Sequence, residues 1–408
     1  MGNPVSTPAS DARLAIVLTH ATQYYSPWFR WLSENTVLNF RVFYLSDFGL
    51  TPALDEQFGV NFAWDVDLTS GYDFEIVPNT APEPNPSHFN GIKNPELPER
   101  LKQWKPDAIL LFGYYYSTHL KLVAWARLHR VPLIFRGDSH LLGRQQLPFS
   151  KRLLLSILYR QFAAITYVGQ ANRHYFRRLG VPEQKLFFAP HAVNAAHFSS
   201  GSPQHCERAA ALRTKLGLAP STLVVLFAGK LSTAKQPLQL LEIFLQLNAA
   251  DTALVFVGDG NELDPLQARA AARPNASVHF LPFANQSEMP SRYLLADLFV
   301  LPSQGAYETW GLAVNEAMHM GVPCLVSDLV GCQRDLVTDG ITGWVFKAGQ
   351  PDQLRTKLGE ALSILRRNRF AFQPAVTERI AKYNYGMAAS GLIAAFSHAI
   401  KHPALPPS

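Results

Sequence analysis

Short runs that are apolar on both faces recur between longer amphipathic stretches along nearly the whole chain, and this alternation limits the fold more than any other feature. The runs are Leu14–Leu18, Arg41–Leu45, Ala108–Phe112, Pro132–Phe135 and Ile165–Val168, then Leu223–Ala228, Ala253–Val257, Val278–Leu281, Leu298–Leu301, Pro323–Val326 and Gly343–Phe346. A strand without a polar face belongs in a parallel sheet covered by helices on both sides, so the rhythm predicts βα units and two doubly wound α/β domains. Between about Ala195 and Ala219 it breaks around Ser199-Ser200-Gly201-Ser202-Pro203, where a linker is expected. The expected units are residues 1–198, residues 199–384, and a C-terminal piece, 385–408, with a helix over Tyr385–Ile400 and a Pro-rich tail, Pro403–Pro407. The stretch Pro78–Pro98 holds six prolines and is expected to be a surface excursion of the first domain, either a structural loop or a lid over a ligand site.

Composition excludes several classes. With 48% hydrophobic and 12% aromatic residues in 408, the chain is a folded globular protein and not a disordered linker. Its three cysteines, Cys206, Cys324 and Cys332, form no C-x-x-C pair, so neither a disulfide scaffold nor a zinc site is expected. No apolar run approaches the roughly 20 residues needed to cross a bilayer, and Met1–Arg13 lacks the pattern of a signal peptide. A cytoplasmic protein, peripheral at most at the inner membrane face, is the expectation. The first strand is not followed by G-x-G-x-x-G and no Walker motif occurs, which argues against a dinucleotide-dependent oxidoreductase. No nucleic-acid module is present, so no nucleic-acid partner is expected.

The densest chemistry lies in Tyr307-Glu308-Thr309-Trp310-Gly311-Leu312-Ala313-Val314-Asn315-Glu316-Ala317-Met318, after a strand and the turn Pro302-Ser303-Gln304-Gly305. A helix is predicted to open near Gly311 and to stop at Gly321-Val322-Pro323. Glu308 then sits in the loop before the helix and Glu316 one to two turns inside it. The N-terminus between them is a seat for phosphate. Two carboxylates flanking an anion site suit a ligand with hydroxyls on either side of a phosphate. Upstream, Gly229-Lys230-Leu231-Ser232-Thr233-Ala234-Lys235 follows a predicted strand, so both lysines are candidates to converge on a diphosphate. After the next strand, the tight turn Gly258-Asp259-Gly260 lets backbone approach a ligand.

In this order and spacing, these segments resemble the C-terminal half of the retaining GT-B glycosyltransferases of family four, the glycosyl transferases group 1, over about residues 222 to 348. Pro302-Ser303, Gly321-Val322-Pro323-Cys324, Gly331 and Asp339-Gly340-Ile341-Thr342-Gly343 belong to the same pattern. In the first half the resemblance rests on Trp104–Ile109, Ile165–Arg177 and Pro190-His191-Ala192-Val193-Asn194. It implies two Rossmann-like domains facing a cleft, with the C-terminal helix returning to the first. It also implies transfer of a sugar from a nucleotide diphosphate to an acceptor hydroxyl, with retention and without a metal or other cofactor. Lys230 and Lys235 would neutralise the departing diphosphate, Glu308 would hold sugar hydroxyls, and Glu316 would accept from the ribose. Gly229, Gly258, Asp259, Gly260, Phe283 and the backbone of Trp310, Gly311 and Leu312 would complete the donor site. The base would lie against Phe283-Ala284-Asn285-Gln286, uridine being preferred and guanosine second. His140, just past a strand, occupies the place of the family's sugar-contacting histidine.

The sequence departs from the family where many members carry a Gly-Gly pair at the first βα turn: here it reads His20-Ala21-Thr22-Gln23-Tyr24-Tyr25. Its bulk implies an unusual acceptor pocket, for which His20, Tyr24, Tyr25 and Tyr115 are the candidates. The acceptor is a glycan, a lipid-linked saccharide or a small molecule. Two rival readings share the scaffold: a sugar-nucleotide epimerase or phosphorylase, and a non-catalytic carbohydrate-binding relative. Charge is unevenly spread, for residues 127–178 hold ten basic side chains against Asp138 alone. Within that stretch Lys151–Arg160 has the makings of an amphipathic helix for anionic lipid, or of an ordinary helix with a solvated basic edge.

Overall fold

The computed structural model describes residues 11–50, 53–55, 60–62, 64–144, 146–305 and 308–403. The expectations for the first ten residues, Tyr307 and the tail beyond Pro403 fall outside them. Strands β1 (Arg13–Leu18), β2 (Asn39–Tyr44), β5 (Phe74–Ile76), β6 (Ala108–Phe112), β7 (Leu133–Arg136), β8 (Ala164–Tyr167) and β9 (Leu186–Phe188) form a sheet in the order β5-β2-β1-β6-β7-β8-β9. A separate antiparallel pair, β3 (Ala53–Asp55) and β4 (Val60–Phe62), interrupts the sequence between β2 and β5. The second sheet takes β10 (Leu223–Ala228), β11 (Thr252–Val257), β12 (Ser277–Leu281), β13 (Leu298–Leu301), β14 (Cys324–Ser327) and β15 (Gly343–Phe346), in the order β12-β11-β10-β13-β14-β15. Every pairing within the two large sheets is parallel. The central strands are buried throughout, as β6, β10 and β11 show, which is why they read as unbroken apolar runs.

Helices α1 (Tyr25–Asn35), α2 (Leu97–Trp104), α3 (Ser117–Leu128), α4 (Phe149–Arg160) and α5 (Gln170–Arg178) belong to the first half. They are followed by α6 (Pro203–Lys215), α7 (Pro237–Leu247), α8 (Leu263–Ala271), α9 (Met289–Leu294), α10 (Leu312–His319), α11 (Gln333–Leu336), α12 (Pro351–Arg367), α13 (Gln373–Ile380) and α14 (Tyr385–Lys401). Among the described residues none is long and apolar enough to cross a membrane. Helix α14 crosses back to the first sheet, packing on β7, β8, β9 and α1. It comes so close that a Cβ on Gly391 would sit 1.9 Å from the carbonyl oxygen of Phe188.

The expected linker is largely helix. Ser202 caps α6, its Oγ accepting the His205 N–H at 3.5 Å, and Pro203 opens the first turn. Ser and Pro interrupt a strand pattern and start a helix equally well, so the same residues mark α6. For the same reason Pro98 lies inside the first turn of α2 and not in a loop. The rest of the Pro-rich excursion is irregular, held by Asn94, whose amide donates to the carbonyls of Leu45, Val77 and Pro78.

Both sheets reverse direction beside their first strand, between β1 and β6 and between β10 and β13. Ligands bind beyond the carboxyl ends of strands at such reversals. The segments that leave β1, β7, β10 and β13, residues 19–25, 137–140, 229–235, 302–305 and 308–311, contribute the walls of one interdomain cleft.

Candidate active site

The wall built on the second sheet is organised by β10 and β13. Lys235 follows β10, and its Nζ donates to Oε2 of Glu308 at 2.9 Å; Ser303 Oγ donates to the same oxygen at 3.0 Å. Gly311 precedes α10 with φ +95°. Glu308 and Lys235 thus stand at the mouth of α10, where the first N–H groups of a helix have no partner further back in the helix itself. Gly258 (φ +140°) must be glycine: a Cβ would lie 2.1 Å from the carbonyl oxygen of Gly229, so the β10 and β11 turns can pack together under the ligand.

Glu316 is buried deeper. Tyr293 donates to Oε2 at 2.7 Å and Tyr24, from the first domain, to Oε1 at 3.2 Å. Burial outweighs these hydrogen bonds and raises its carboxyl pKa to about 7. Burial, reinforced by Glu316, also holds the Tyr24 phenol well above its ordinary value.

Opposite stands the first domain. Asp138, past the end of β7, accepts a hydrogen bond from Thr309 Oγ1 at 2.8 Å, and His191 Nε2 lies 3.6 Å from the same oxygen. Burial alone would raise the Asp138 carboxyl, but His191 and Thr309 oppose it and hold the group down at about 2. Its side chain lines the cleft. Across the seam, Asn315 donates to the His191 carbonyl at 3.3 Å and the Gln170 N–H to Asp335 at 3.0 Å.

The cavity between these walls measures about 580 Å³. It is lined by Gly229, Lys230, Lys235, Gly258, Phe283, Trp310, Gly311, Leu312, Glu308 and Glu316 from the second domain, and by Tyr24 and Tyr25 from the first. The structure thus brings together most of the residues named from sequence.

Five of them lie elsewhere. Asp259 and Gly260 face away, Asp259 Oδ1 accepting the Gly260 N–H at 2.7 Å, because the turn folds its carboxylate onto its own backbone. His140 is turned behind the wall: the Leu142 N–H donates to its Nδ1 at 3.1 Å, which leaves the proton on Nε2 to donate to the Glu308 carbonyl at 3.2 Å. His140 therefore braces the Glu308 loop. Burial lowers the His20 pKa to about 4, and the ring packs edge-on against Phe48 outside the cavity. Tyr115 is remote, donating to the Ser87 carbonyl of the Pro-rich excursion at 2.8 Å, and no residue of that excursion lines the cavity. Tyr24, expected in an acceptor pocket, instead touches Glu316.

Sequence reasoning missed Asp138, His191, Gln23 and Tyr293, all of which line the cavity, as does Gln286 from the segment expected to face the base. Asp138 stands two positions before His140, and His191 lies in the quoted Pro-His-Ala-Val-Asn segment, so both had a local signal; Tyr293 had none. Among the described residues no group of three or more His, Cys, Asp or Glu side chains is placed to hold a metal ion.

The family described as Glycosyl transferases group 1 matches residues 209–371, and Glycosyltransferase Family 4 matches residues 48–197. The chain belongs to the group 1 glycosyltransferases. Its matches include the D-inositol 3-phosphate glycosyltransferase of Segniliparus rotundus, 29% identical over 231 residues covering 55% of this chain and 49% of the other. They also include the GDP-mannose-dependent alpha-(1-6)-phosphatidylinositol monomannoside mannosyltransferase of Mycolicibacterium smegmatis, 28% identical over 58% of this chain and 62% of the other. The match thus spans about half the length of the first of these relatives. Among solved structures, Anabaena HepE in complex with UDP superposes with a TM-score of 0.68 at 17% identity, over 93% of this chain and 98% of that one. The group 1 transferase fold is accordingly GT-B, two Rossmann-like domains about a cleft.

Proposed function

We propose that this group 1 transferase moves a sugar from a nucleotide diphosphate donor to an acceptor hydroxyl, with retention and without a metal. The observation that carries the reading is the Lys235–Glu308 pair at the mouth of α10, with Lys230 on the same wall and Glu316 deeper in one cavity. The bond between the anomeric carbon and the phosphate oxygen breaks as the acceptor oxygen attacks from the same face; the acceptor proton passes to that phosphate oxygen. Lys230 and Lys235 stabilise the charge that grows on the leaving diphosphate, a large catalytic term when the charges are pre-positioned. Glu308 orients the sugar, Glu316 accepts from the ribose, and Asp138 faces the sugar from the first domain as a carboxylate at any physiological pH. UDP in the HepE complex and GDP-mannose in the name of the Mycolicibacterium relative support these two donor classes. UDP-sugars are preferred, with GDP-sugars second.

Thermal-shift screening of UDP, GDP and ADP sugars tests this directly, because a ligand bound only by the folded chain raises its melting temperature. A UDP- or GDP-sugar is expected to stabilise the chain; no response to any of them would favour a non-catalytic relative. Incubating that donor without acceptor separates the transferase from an epimerase, which alone would form the epimer.

The same reading includes peripheral attachment to an anionic membrane. Helix α4 turns Phe149 (71% exposed), Leu153, Leu154 (66%) and Ile157 to solvent beside Lys151, Arg152 and Arg160. Apolar side chains fringed by cations suit the headgroup boundary. Co-sedimentation with phosphatidylglycerol vesicles at low salt is expected, and Leu154→Asp should abolish it; binding that survives that change would remove α4 from the contact.

A further inference from the structure

A second recess lies on the interdomain seam behind His140. It holds about 160 Å³ and is lined by Leu141, Leu142, Arg144, His174, Arg178 and Arg334, with Ala171 at its base. Three arginines thus converge from three elements and both domains: the loop after β7, α5 and α11. Their neighbours show what is unusual. Arg173 and Arg177 on the same helix both pair with Glu183, whereas Arg144, Arg178 and Arg334 meet no carboxylate within ion-pair distance among the described residues. All three are exposed, and all three line one small volume. Like charges gathered without a counter-charge repel; an anion among them removes the repulsion and gains charge-assisted, bidentate hydrogen bonds. The volume suits a single phosphate group and not a nucleotide.

Position gives the recess a role. The Leu142 N–H at its floor bonds to Nδ1 of His140, and Nε2 of the same ring bonds to the Glu308 carbonyl. One imidazole therefore separates the recess from the loop that carries the sugar-binding carboxylate. The diphosphate of the donor already has its own cations in Lys230 and Lys235.

We propose that Arg144, Arg178 and Arg334 form a seat for a phosphate group borne by the acceptor. The acceptor role rests on the transferase reading; the anion site does not. A phosphoester on a soluble acceptor and the phosphate of a lipid headgroup share this chemistry. Occupancy would also tie Arg334 of the second domain to Arg144 and Arg178 of the first.

The test is calorimetric titration of the full chain with inorganic phosphate at constant ionic strength, with UDP saturating to fill the diphosphate site. A parallel titration uses a Lys230→Ala/Lys235→Ala chain. Wild type is expected to bind phosphate in both formats, and Arg144→Gln/Arg178→Gln/Arg334→Gln to weaken it by about tenfold or more. The UDP thermal shift, unchanged in that variant, reports an intact fold. If UDP fails to bind wild type, the donor reading falls while the titration of the double-lysine variant still reports on the recess. A second arm compares phosphatidylcholine vesicles with and without phosphatidic acid. Arginine-dependent binding of free phosphate identifies a soluble phosphoester; arginine-dependent binding to phosphatidic acid alone identifies a lipid phosphate. Phosphate binding that survives the triple substitution, or its absence from both arms, overturns the proposal.

Discussion

Lys235→Ala is expected to lower turnover by about two to three orders of magnitude, the usual loss when one pre-positioned charge is removed from a developing anion. The effect should fall on kcat far more than on the donor KM, because the diphosphate carries its greatest charge only as the bond to the anomeric carbon breaks. Stability should change little: Lys235 is a partly exposed side chain paired with Glu308, and such pairs contribute little to folding. Lys235→Arg should not restore the rate, since a planar fork cannot follow the moving charge as an ammonium does. Glu308→Gln makes the complementary case: Ser303 still has an acceptor for its hydroxyl, while the grip on the sugar hydroxyls weakens. Steady-state kinetics beside thermal melts of each variant decide it, and undiminished turnover in Lys235→Ala would remove that lysine from the site.

Much of this arrangement was legible because βα folds write themselves locally. The buried parallel strands appear as apolar runs, and each loop that leaves a strand end carries its residues in order, so Lys235, Glu308 and Glu316 converge once the strands are placed. What escaped depends on where side chains turn after the strand ends. His140 and Asp138 leave the same turn, but the Leu142 N–H captures the imidazole and Thr309 reaches the carboxylate, so it is the aspartate that faces the cleft. Nothing in a single sequence says which will be captured. Tyr24 illustrates the same limit across domains: its bulk at the first turn was visible, while its partner, Glu316, lies 292 residues away. The short strands β5 and β9, three residues each, hold too few positions to display a period of two.

Donor binding is expected to strengthen as pH rises through about 7, the value to which burial lifts Glu316. Ribose hydroxyls donate; they need the ionised carboxylate, and in the free chain half the Glu316 side chains carry a proton at that pH. The folding contribution runs the other way. A carboxyl whose folded pKa lies above its ordinary 4.5 stabilises the fold fully below that value and ceases to do so as pH climbs through about 7. Glu316 should therefore subtract from the stability of the unliganded chain over the same interval in which UDP gains affinity, against the opposite contribution of His20, His119 and His319, whose pKa burial lowers to about 4, and the thermal shift caused by UDP should widen with pH. Asp335, raised to about 6 by burial, adds to the loss of stability, but it does not line the cavity and leaves the affinity curve alone. Glu316→Gln separates the two: it should bind UDP about ten- to a hundredfold more weakly at pH 8, the cost of losing hydrogen bonds to a charged acceptor, with no dependence on pH in this range. Tyr24→Phe deletes a hydrogen bond that favours the ionised form, so its affinity curve should move to higher pH. A pH-independent affinity in the wild-type chain would mean that the ribose does not reach Glu316.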